Sequence, residues 1–374
     1  MRYIPWITTV LLALLTTHAT AAPHHYPQVR PPPESEIPRL VIYFQTTHDD
    51  QGRPISMLPL VTVRHIALTH LIVCSLHVHK DGIVHLNDYP PSHPMFKTLW
   101  KETEIMRESG VKVMGMVGGA AAGSFTKDTL DSDDDKTFKH YYRQLAEVIR
   151  KYKLQGLDID VEQPMSQEGI NRLILRLRID FGVDFIITLA PVASGLTSSN
   201  GGLSGFNYQL LEEEYGGLID FYNAQFYNGF GSMHSTAHFD KTVAAGWDPT
   251  KIVIGQLTDR GTSAHVSLNS TIMQLREKLG AVGGIMGWEY FNSDPGGISA
   301  PWEWAQAMTK ILRPGLVPDI KITRDTAIEL TKAWVKSAQP AAAVLCANVG
   351  GAVNQACAAS ALTPNVDYMA MVNA

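Results

Sequence analysis

The stretch at residues 154–163, LQGLDIDVEQ, places three acidic residues within five positions. Asp158, Asp160 and Glu162 alternate with β-branched residues, and such alternation is typical of a strand rather than a helix. Because side chains two residues apart on a strand point to the same side, we expect the three carboxylates to face one way. Like charges on one face repel, so the pKa of at least one carboxyl is expected to rise far enough to keep a proton near neutral pH.

Seven further apolar stretches of strand length lie between residues 39 and 291, separated by segments with the period of amphipathic helices. This pattern is typical of parallel strands buried on both faces. The predicted strands are RLVIYFQ (39–45), LTHLIVCSLHV (68–78), KVMGMV (112–117), GLDIDV (156–161), DFIITLA (184–190), IDFYNAQFY (219–227), KIVIGQL (251–257) and GGIMGWEYF (283–291). The predicted helices span 95–109, 137–152, 167–180, 236–245, 266–279 and 301–312.

Eight predicted strands with helices between them predict an α/β protein with a closed (β/α)₈ TIM barrel over residues 39–313. A doubly wound sheet is the alternative, although such a sheet would rarely need eight units. In a barrel of this kind the catalytic residues lie at the carboxyl ends of the strands. The three carboxylates fall at the end of the fourth predicted strand, where catalysis is expected.

The two ends of the chain differ in composition from this region. Residues 1–21 combine one Arg, a short apolar run and small residues ending in A-x-A, which predicts a secretory signal peptide and an extracellular protein. A membrane anchor is the alternative, but the apolar run is too short to span a bilayer. Residues 22–38 form a Pro-rich lead-in. Residues 314–374 are predicted to be a helical, Ala-rich C-terminal extension.

Export would permit a disulfide, but the chain has only three cysteines. Cys346 and Cys357 are candidates for one bridge, whereas Cys74 lies in a predicted strand and is expected to be a buried free thiol. The sequon Asn269-Ser270-Thr271 is a candidate glycosylation site at the surface.

The composition, with 45% hydrophobic and 18% charged residues and a net charge of -5, is typical of a globular protein. The absence of a basic patch speaks against a nucleic-acid partner, and no segment is apolar over enough residues to span a membrane. A metal site would need further carboxylate or His ligands at other strand ends, and the sequence offers no obvious set. The sequence thus predicts no metal, no cofactor and no evident protein partner.

Five segments, in the expected order, resemble glycoside hydrolase family 18, the chitinases and related endo-N-acetylglucosaminidases. The family pattern D-x-x-D-x-D-x-E corresponds to QGLDIDVE at residues 155–162. The other segments are KVMGMVGG, LAPVASG, NAQFYNGFG and GGIMGWEYFNSD, which resemble the third, fifth, sixth and eighth strands. The resemblance implies a retaining hydrolase of β-1,4-N-acetylglucosamine linkages in chitin or chitooligosaccharides, in which the substrate's own N-acetyl oxygen is the nucleophile.

The resemblance also implies roles for particular residues. Glu162 would be the general acid and base, Asp160 would orient the acetamido group, and Asp158 would share a proton with Asp160. Tyr227 would donate a hydrogen bond to the acetamido oxygen. The implied substrate-binding residues are Trp288 as an apolar floor, Gln225, Asn228, and Tyr43, which could also contact Asp158. Considered alone, a Trp such as Trp288 is more often a core aromatic, and a Tyr such as Tyr227 is more often a strand residue whose hydroxyl is satisfied; only their positions at strand ends favour a functional role.

Two positions depart from the family pattern. Gln155 replaces the first Asp, and Met116 stands where the third-strand motif S-x-G-G has Ser. Since the essential pair Asp160 and Glu162 is present, an active chitinase is the first hypothesis. The second is a catalytically impaired chitinase-like protein that binds and sequesters chitin fragments, for example to prevent their immune detection. A structural or inhibitory role of the barrel alone is a third.

Overall fold

The computed structural model describes residues 37–319 except 81, together with 321–323, 325, 326 and 329; the side chains of 262 and 263 are excluded. The predicted signal peptide, almost all of the Pro-rich lead-in and most of the C-terminal extension lie outside the described residues. So do Cys346 and Cys357, and the proposed bridge between them stays a prediction.

Eight parallel strands close into a barrel, which confirms the predicted (β/α)₈ fold and excludes the doubly wound sheet. Each strand pairs with the next one along the barrel, and the first strand pairs with both the second and the last. A ninth strand, β3, pairs antiparallel with the end of β2 and was not predicted. The strands are β1 (Arg39–Phe44), β2 (His70–Val78), β3 (Val84–Leu86), β4 (Lys112–Gly119), β5 (Gly156–Val161), β6 (Ile186–Leu189), β7 (Phe221–Gln225), β8 (Ile252–Leu257) and β9 (Gly284–Trp288).

Helices surround the strands, and all six predicted helices are present within a few residues of their expected bounds. Two short helices were not predicted: a single turn, α1, and the eight-residue α5, whose segment is too short for a clear helical period. The helices are α1 (Pro59–Thr62), α2 (Lys97–Glu108), α3 (Asp135–Lys151), α4 (Gln167–Phe181), α5 (Tyr208–Tyr215), α6 (Ala237–Ala244), α7 (Gly261–Leu279) and α8 (Trp302–Leu312). Among the described helices, none is both long enough and apolar enough to cross a bilayer.

The core has two layers because alternate side chains of each strand point to opposite sides of the barrel wall. Outward-pointing residues, including Leu157, Ile159 and Val161 of β5, pack beneath the helices. The apolar residues that fill the barrel interior are Val41, Tyr43, Ile72, Cys74, Met114, Met116, Phe221, Val253 and Met286. The even-numbered carboxylates of β5 therefore point inward.

Two further predictions concern single residues. Cys74 is a free thiol that is fully buried in the barrel interior, as predicted. Burial raises the pKa of this thiol, so it stays protonated and weakly reactive. Asn269 of the sequon is exposed on α7, whereas Thr271 is buried and its hydroxyl donates a hydrogen bond to the carbonyl of Met233.

Candidate active site

Asp158, Asp160 and Glu162, here called the carboxylate row, lie along and just beyond β5, which pairs with β4 and β6. Asp158 is in register with Met116 of β4 and Thr188 of β6, and Asp160 is in register with Gly118. The strand ends at Val161, and α4 begins only after Ser166, whose hydroxyl accepts a hydrogen bond from the amide of Gly169 and caps the helix. Glu162 therefore lies in the short connection at the carboxyl end of the strand, where active sites of such barrels occur.

Asp158 is fully buried and accepts hydrogen bonds on both carboxylate oxygens. The Tyr43 hydroxyl donates to Oδ2 at 2.8 Å, which is the contact predicted between these residues. Thr188 Oγ1 donates to Oδ1 at 2.5 Å and Asn223 Nδ2 to the same oxygen at 3.0 Å. Burial raises the pKa of Asp158, and these three hydrogen bonds act against that rise because they stabilise the charged form.

Asp160 is also buried but has a much poorer set of donors. Its described hydrogen bond comes from Gln225 Nε2, at 3.3 Å from Oδ1. Burial raises the pKa of Asp160 well above its usual range, and the neighbouring charges of Glu162 and Asp158 raise it further. One carboxyl group of the row is expected to keep a proton near neutral pH, and these contacts favour Asp160, the middle member, as that group.

Glu162 is the outermost and only half-buried member of the row. The amide Nε2 of Gln225 lies 3.2 Å from Glu162 Oε1, so one amide group lies within hydrogen-bond distance of both Asp160 and Glu162. The same nitrogen also donates to the carbonyl of Ala190 at 3.0 Å. Gln225 thus fixes the relative positions of the buried and the accessible carboxyl groups.

Aromatic side chains line the barrel beside this row. Trp288, at the end of β9, is half-buried and packs against the interior cluster; its ring centroid is 5.5 Å from that of Tyr43. Tyr227 follows β7 and packs against the same cluster. Burial together with the charges of Asp160 and Glu162 raises the pKa of Tyr227 well above its usual range, so its phenol stays a hydrogen-bond donor.

A side cavity of about 440 Å³ opens next to Tyr227, a volume in the range of small-ligand sites. Asn228 lies on its wall, is exposed and has a positive φ of 52°. Other polar lining residues are Ser232, His234, Gln256, Arg260 and Ser267. The structure thus places two hydrogen-bonded groups side by side, Asp158 with Tyr43 and Gln225 with both Asp160 and Glu162. Trp288 and Tyr227 lie beside them, and Asn228 is at the rim.

The two positions that depart from the family pattern occupy different environments. Gln155 immediately precedes β5 and, like Leu157 two residues later, lies on the outer side of the barrel wall. Its Oε1 accepts a hydrogen bond from the amide of Val113 on β4 at 3.0 Å. The amide of Gln155 donates in turn to the Val113 carbonyl at 2.7 Å. Met116 is fully buried inside the barrel beside Asp158. Gln155 therefore supports the strand pair, whereas Met116 contributes only packing.

Sequence reasoning missed Thr188 and Asn223. Thr188 is a polar residue inside the apolar run DFIITLA, and Asn223 is two residues before Gln225, on the same face of β7. Both signals were available, but a lone polar residue in a strand gives no indication of its partner. Among the described residues, no group of three or more His, Cys, Asp or Glu side chains is arranged to bind a metal ion.

The comparisons with known proteins agree with this geometry. The model of the glycosyl hydrolases of family 18 matches residues 39–289. A fungal endo-β-N-acetylglucosaminidase of family 18 is 62% identical, with a TM-score of 0.73, and covers 75% of this chain and 100% of its own. The chitinase ChiC from Aspergillus fumigatus is 43% identical, with a TM-score of 0.64, and covers 72% of this chain and 98% of its own.

A more distant relative is Chitinase 1 from Tulipa saxatilis subsp. bakeri, which is 28% identical over 151 residues, or 37% of this chain. The present chain spans about half (46%) of the length of that plant chitinase. The match to the family model extends from the first strand of the barrel to the end of the last and includes the whole carboxylate row. The chain belongs to the glycosyl hydrolases of family 18.

Proposed function

We propose that this protein hydrolyses the β-1,4 linkage between two N-acetylglucosamine residues by a retaining, substrate-assisted mechanism. The observation that carries the proposal is the graded burial of the row. Asp158 and Asp160 are buried, Glu162 is half-exposed, and one amide of Gln225 lies within 3.3 Å of both Asp160 and Glu162. A proton favoured on Asp160 thus belongs to the carboxyl group next to Glu162, which would meet the substrate.

Transfer of that proton to Glu162 prepares both reacting groups at once. Glu162 becomes the acid that protonates the glycosidic oxygen, and Asp160 becomes an anion next to the acetamido group. The acetamido oxygen attacks the anomeric carbon, and the C–O bond to the leaving sugar breaks with its electron pair on the oxygen that receives the proton. Asp160 then stabilises the positive charge of the resulting oxazolinium ion.

The second half of the reaction reuses the same groups. The Glu162 carboxylate takes a proton from a water molecule, and the resulting oxygen nucleophile attacks the anomeric carbon and opens the oxazolinium ring. Tyr227 donates a hydrogen bond to the acetamido oxygen throughout, because its raised pKa keeps the phenol protonated. Two displacements at one carbon give net retention of configuration.

Two substrates contain this linkage, chitin and the core of an N-glycan, and different observations favour each of them. The sequence pattern of the sixth and eighth barrel strands favours chitin or chitooligosaccharides. The 62% identity with a fungal endo-β-N-acetylglucosaminidase favours the N-acetylglucosamine pair in the core of an N-glycan. The polar cavity of about 440 Å³ beside Tyr227 offers room for sugar units next to the cleavage site in either case.

Purified protein incubated with chitotetraose and with a high-mannose glycopeptide tests the proposal. We expect cleavage of at least one substrate, with the β-anomer as the first product. Glu162→Gln should reduce cleavage by about 1,000-fold or more while leaving oligosaccharide affinity largely unchanged, since an amide cannot donate the required proton. Exposed Glu168→Gln, on α4, is the matched control and should cleave at the parental rate. Unchanged turnover in Glu162→Gln would remove the mechanism.

Binding of chitooligosaccharides by the parent without cleavage of either substrate would support the alternative role, in which the protein sequesters chitin fragments. We further propose that the protein is exported, on the basis of the signal-like pattern at residues 1–21. N-terminal sequencing of protein recovered from culture medium should find a start at position 22.

A further inference from the structure

The donors around Asp158 exceed what the resemblance to the family predicted. The family's third-strand serine is Met116 here, and a thioether cannot supply its hydroxyl. Asp158 nevertheless has no free carboxylate oxygen, because Oδ2 accepts from Tyr43 and Oδ1 from both Thr188 and Asn223. Thr188 lies in register with Asp158 on the strand opposite Met116, so the hydroxyl comes from the other side of β5.

The orientation of Asn223 is further evidence that Asp158 is an anion. Asn223 is fully buried, and its Oδ1 has no hydrogen-bond partner among the described residues. An unpaired buried oxygen is costly, and the opposite orientation would direct that oxygen at the carboxylate. The amide is therefore turned so that its donor group serves Asp158, and Thr188 and Tyr43 are likewise donors to the charged form.

The titratable groups that interact electrostatically with Asp158 come from five elements. Tyr43 belongs to β1, Cys74 to β2, and Asp160 and Glu162 to the row itself, while Tyr227 follows β7 and Tyr208 begins α5. The phenols and the thiol have raised pKa values and are neutral at ordinary pH. Among the described residues, the charges next to Asp158 are therefore those of the row. Consequently, the donors to Asp158 decide which carboxyl group of the row keeps the proton.

We propose that Thr188, assisted by Asn223, is a positioning residue that holds Asp158 as the fixed anion of the row and thereby keeps the mobile proton on Asp160, within reach of Glu162. Thr188 thus supplies from β6 the hydroxyl that Met116 cannot supply from β4. This inference rests on the proposed function, because it concerns the order of proton binding in the same reaction.

Thr188→Val tests the proposal because it removes the hydroxyl at nearly constant volume. We expect kcat to fall about 10- to 100-fold while KM changes less than about twofold, since the residue has no described contact at the sugar side of the site. The acidic limb of the pH–rate profile should move up by roughly one unit, because loss of a donor makes Asp158 bind its own proton more readily. Thr188→Ser should restore the profile.

Thr242→Val is the matched control, because Thr242 is a buried threonine whose hydroxyl donates only to the His238 carbonyl within α6. It should leave the profile unchanged. A Thr188→Val variant that cleaves with the parental kcat and acidic limb would overturn the inference while the proposed hydrolysis stands.

Carbon-13 NMR titration of the aspartate carboxyl groups in the parent tests the proton order without turnover and without a folded Val variant. Asp160→Asn assigns its signal. We expect Asp160 to stay protonated to a higher pH than Asp158. The reverse order would overturn the inference, whether or not the parent proves to hydrolyse either substrate.

Discussion

Trp288 is the side chain whose role most depends on its position at the mouth of the barrel. It packs against the interior cluster but remains half-buried, so one part of the indole is available to a sugar. Trp288→Ala should weaken binding of N-acetylglucosamine oligomers by about 2 kcal/mol, since a stacked sugar face buries apolar surface at roughly 25 cal/mol per Å². Titration calorimetry on the Glu162→Gln background measures this without cleavage.

The matched control is Trp100→Ala. Trp100 is also half-buried, but it lies on α2 and stacks on Tyr152, with ring centroids 3.8 Å apart. The Trp100→Ala variant should be less stable than the parent but should keep the parental affinity for oligosaccharides. Equal losses of affinity in the two variants, or an unchanged affinity in Trp288→Ala, would show that Trp288 only fills the core.

Gln155 and Met116 test whether the departures from the family pattern matter. Gln155 lies on the outer side of the barrel wall, and its side-chain oxygen already accepts a hydrogen bond from the Val113 amide. Both oxygens of Asp158 already accept hydrogen bonds, so a serine at 116 would add a fourth donor rather than replace a missing one. Gln155→Asp and Met116→Ser, alone or combined, should therefore not raise cleavage, and Met116→Ser should cost about 2–5 kcal/mol of stability through the cavity it leaves.

Steady-state kinetics and urea unfolding of both single variants and the double variant measure these effects. A tenfold higher kcat in the double variant at constant affinity would contradict the expectation. It would mean that Gln155 and Met116 limit the cleavage rate of the parent.

At the scale of elements, a buried carboxylate joins α2 to the segment before α1. Glu102 accepts hydrogen bonds from the Ser56 hydroxyl at 2.8 Å and the Met57 amide at 2.7 Å. Burial raises its pKa to about 7, although these hydrogen bonds act in the opposite direction. Because the folded protein binds this proton more tightly than the unfolded chain, the stabilisation is complete below pH of about 4.5 and is lost as the pH rises to about 7.

Glu102→Gln should remove this dependence. The free energy of unfolding of the parent relative to the variant should fall by up to about 3 kcal/mol between pH 4.5 and 8. Urea unfolding across that range measures it, and the comparison cancels the similar effect of the buried row on β5. Glu108→Gln, an exposed carboxylate at the end of the same helix, is the control. A constant difference between parent and Glu102→Gln across pH would contradict the prediction.

At the scale of the whole molecule, the barrel closes where β1 meets β9. Gly284 pairs with Arg39 across this seam and has a φ of 145°. A Cβ atom at Gly284 would lie only 2.1 Å from the Arg39 carbonyl oxygen and 2.6 Å from its nitrogen. Gly284→Ala should therefore force the first and last strands apart and cost about 3 kcal/mol, as overpacking and backbone strain combine.

Gly110→Ala separates these two causes. Gly110 has a φ of 83° but no atom within 4 Å of an added Cβ, so only the backbone strain of about 1–2 kcal/mol is expected. Thermal and urea unfolding of both variants measure the difference. Equal stabilities of the two variants would show that the seam adjusts to an added methyl group at no cost.

The amino-acid sequence by itself determined which way the carboxylates face and how many strands form the barrel. Alternation within 156–162 is a local property, because successive side chains of a strand must point to opposite sides. Order and type of the long elements follow from periodicity in the same way. The short α5 escaped prediction because eight residues give little periodic signal, and such a helix depends on tertiary packing for its stability.

Only the tertiary structure decided what surrounds the row. Asp158 receives its three hydrogen bonds from Tyr43, Thr188 and Asn223, which are 115, 30 and 65 residues away in sequence. Which of these side chains reach the height of Asp158 depends on the register between neighbouring strands and on closure of the barrel. The residue types were visible in the sequence, but their distances were not, because register is fixed by the packing of all eight strands together.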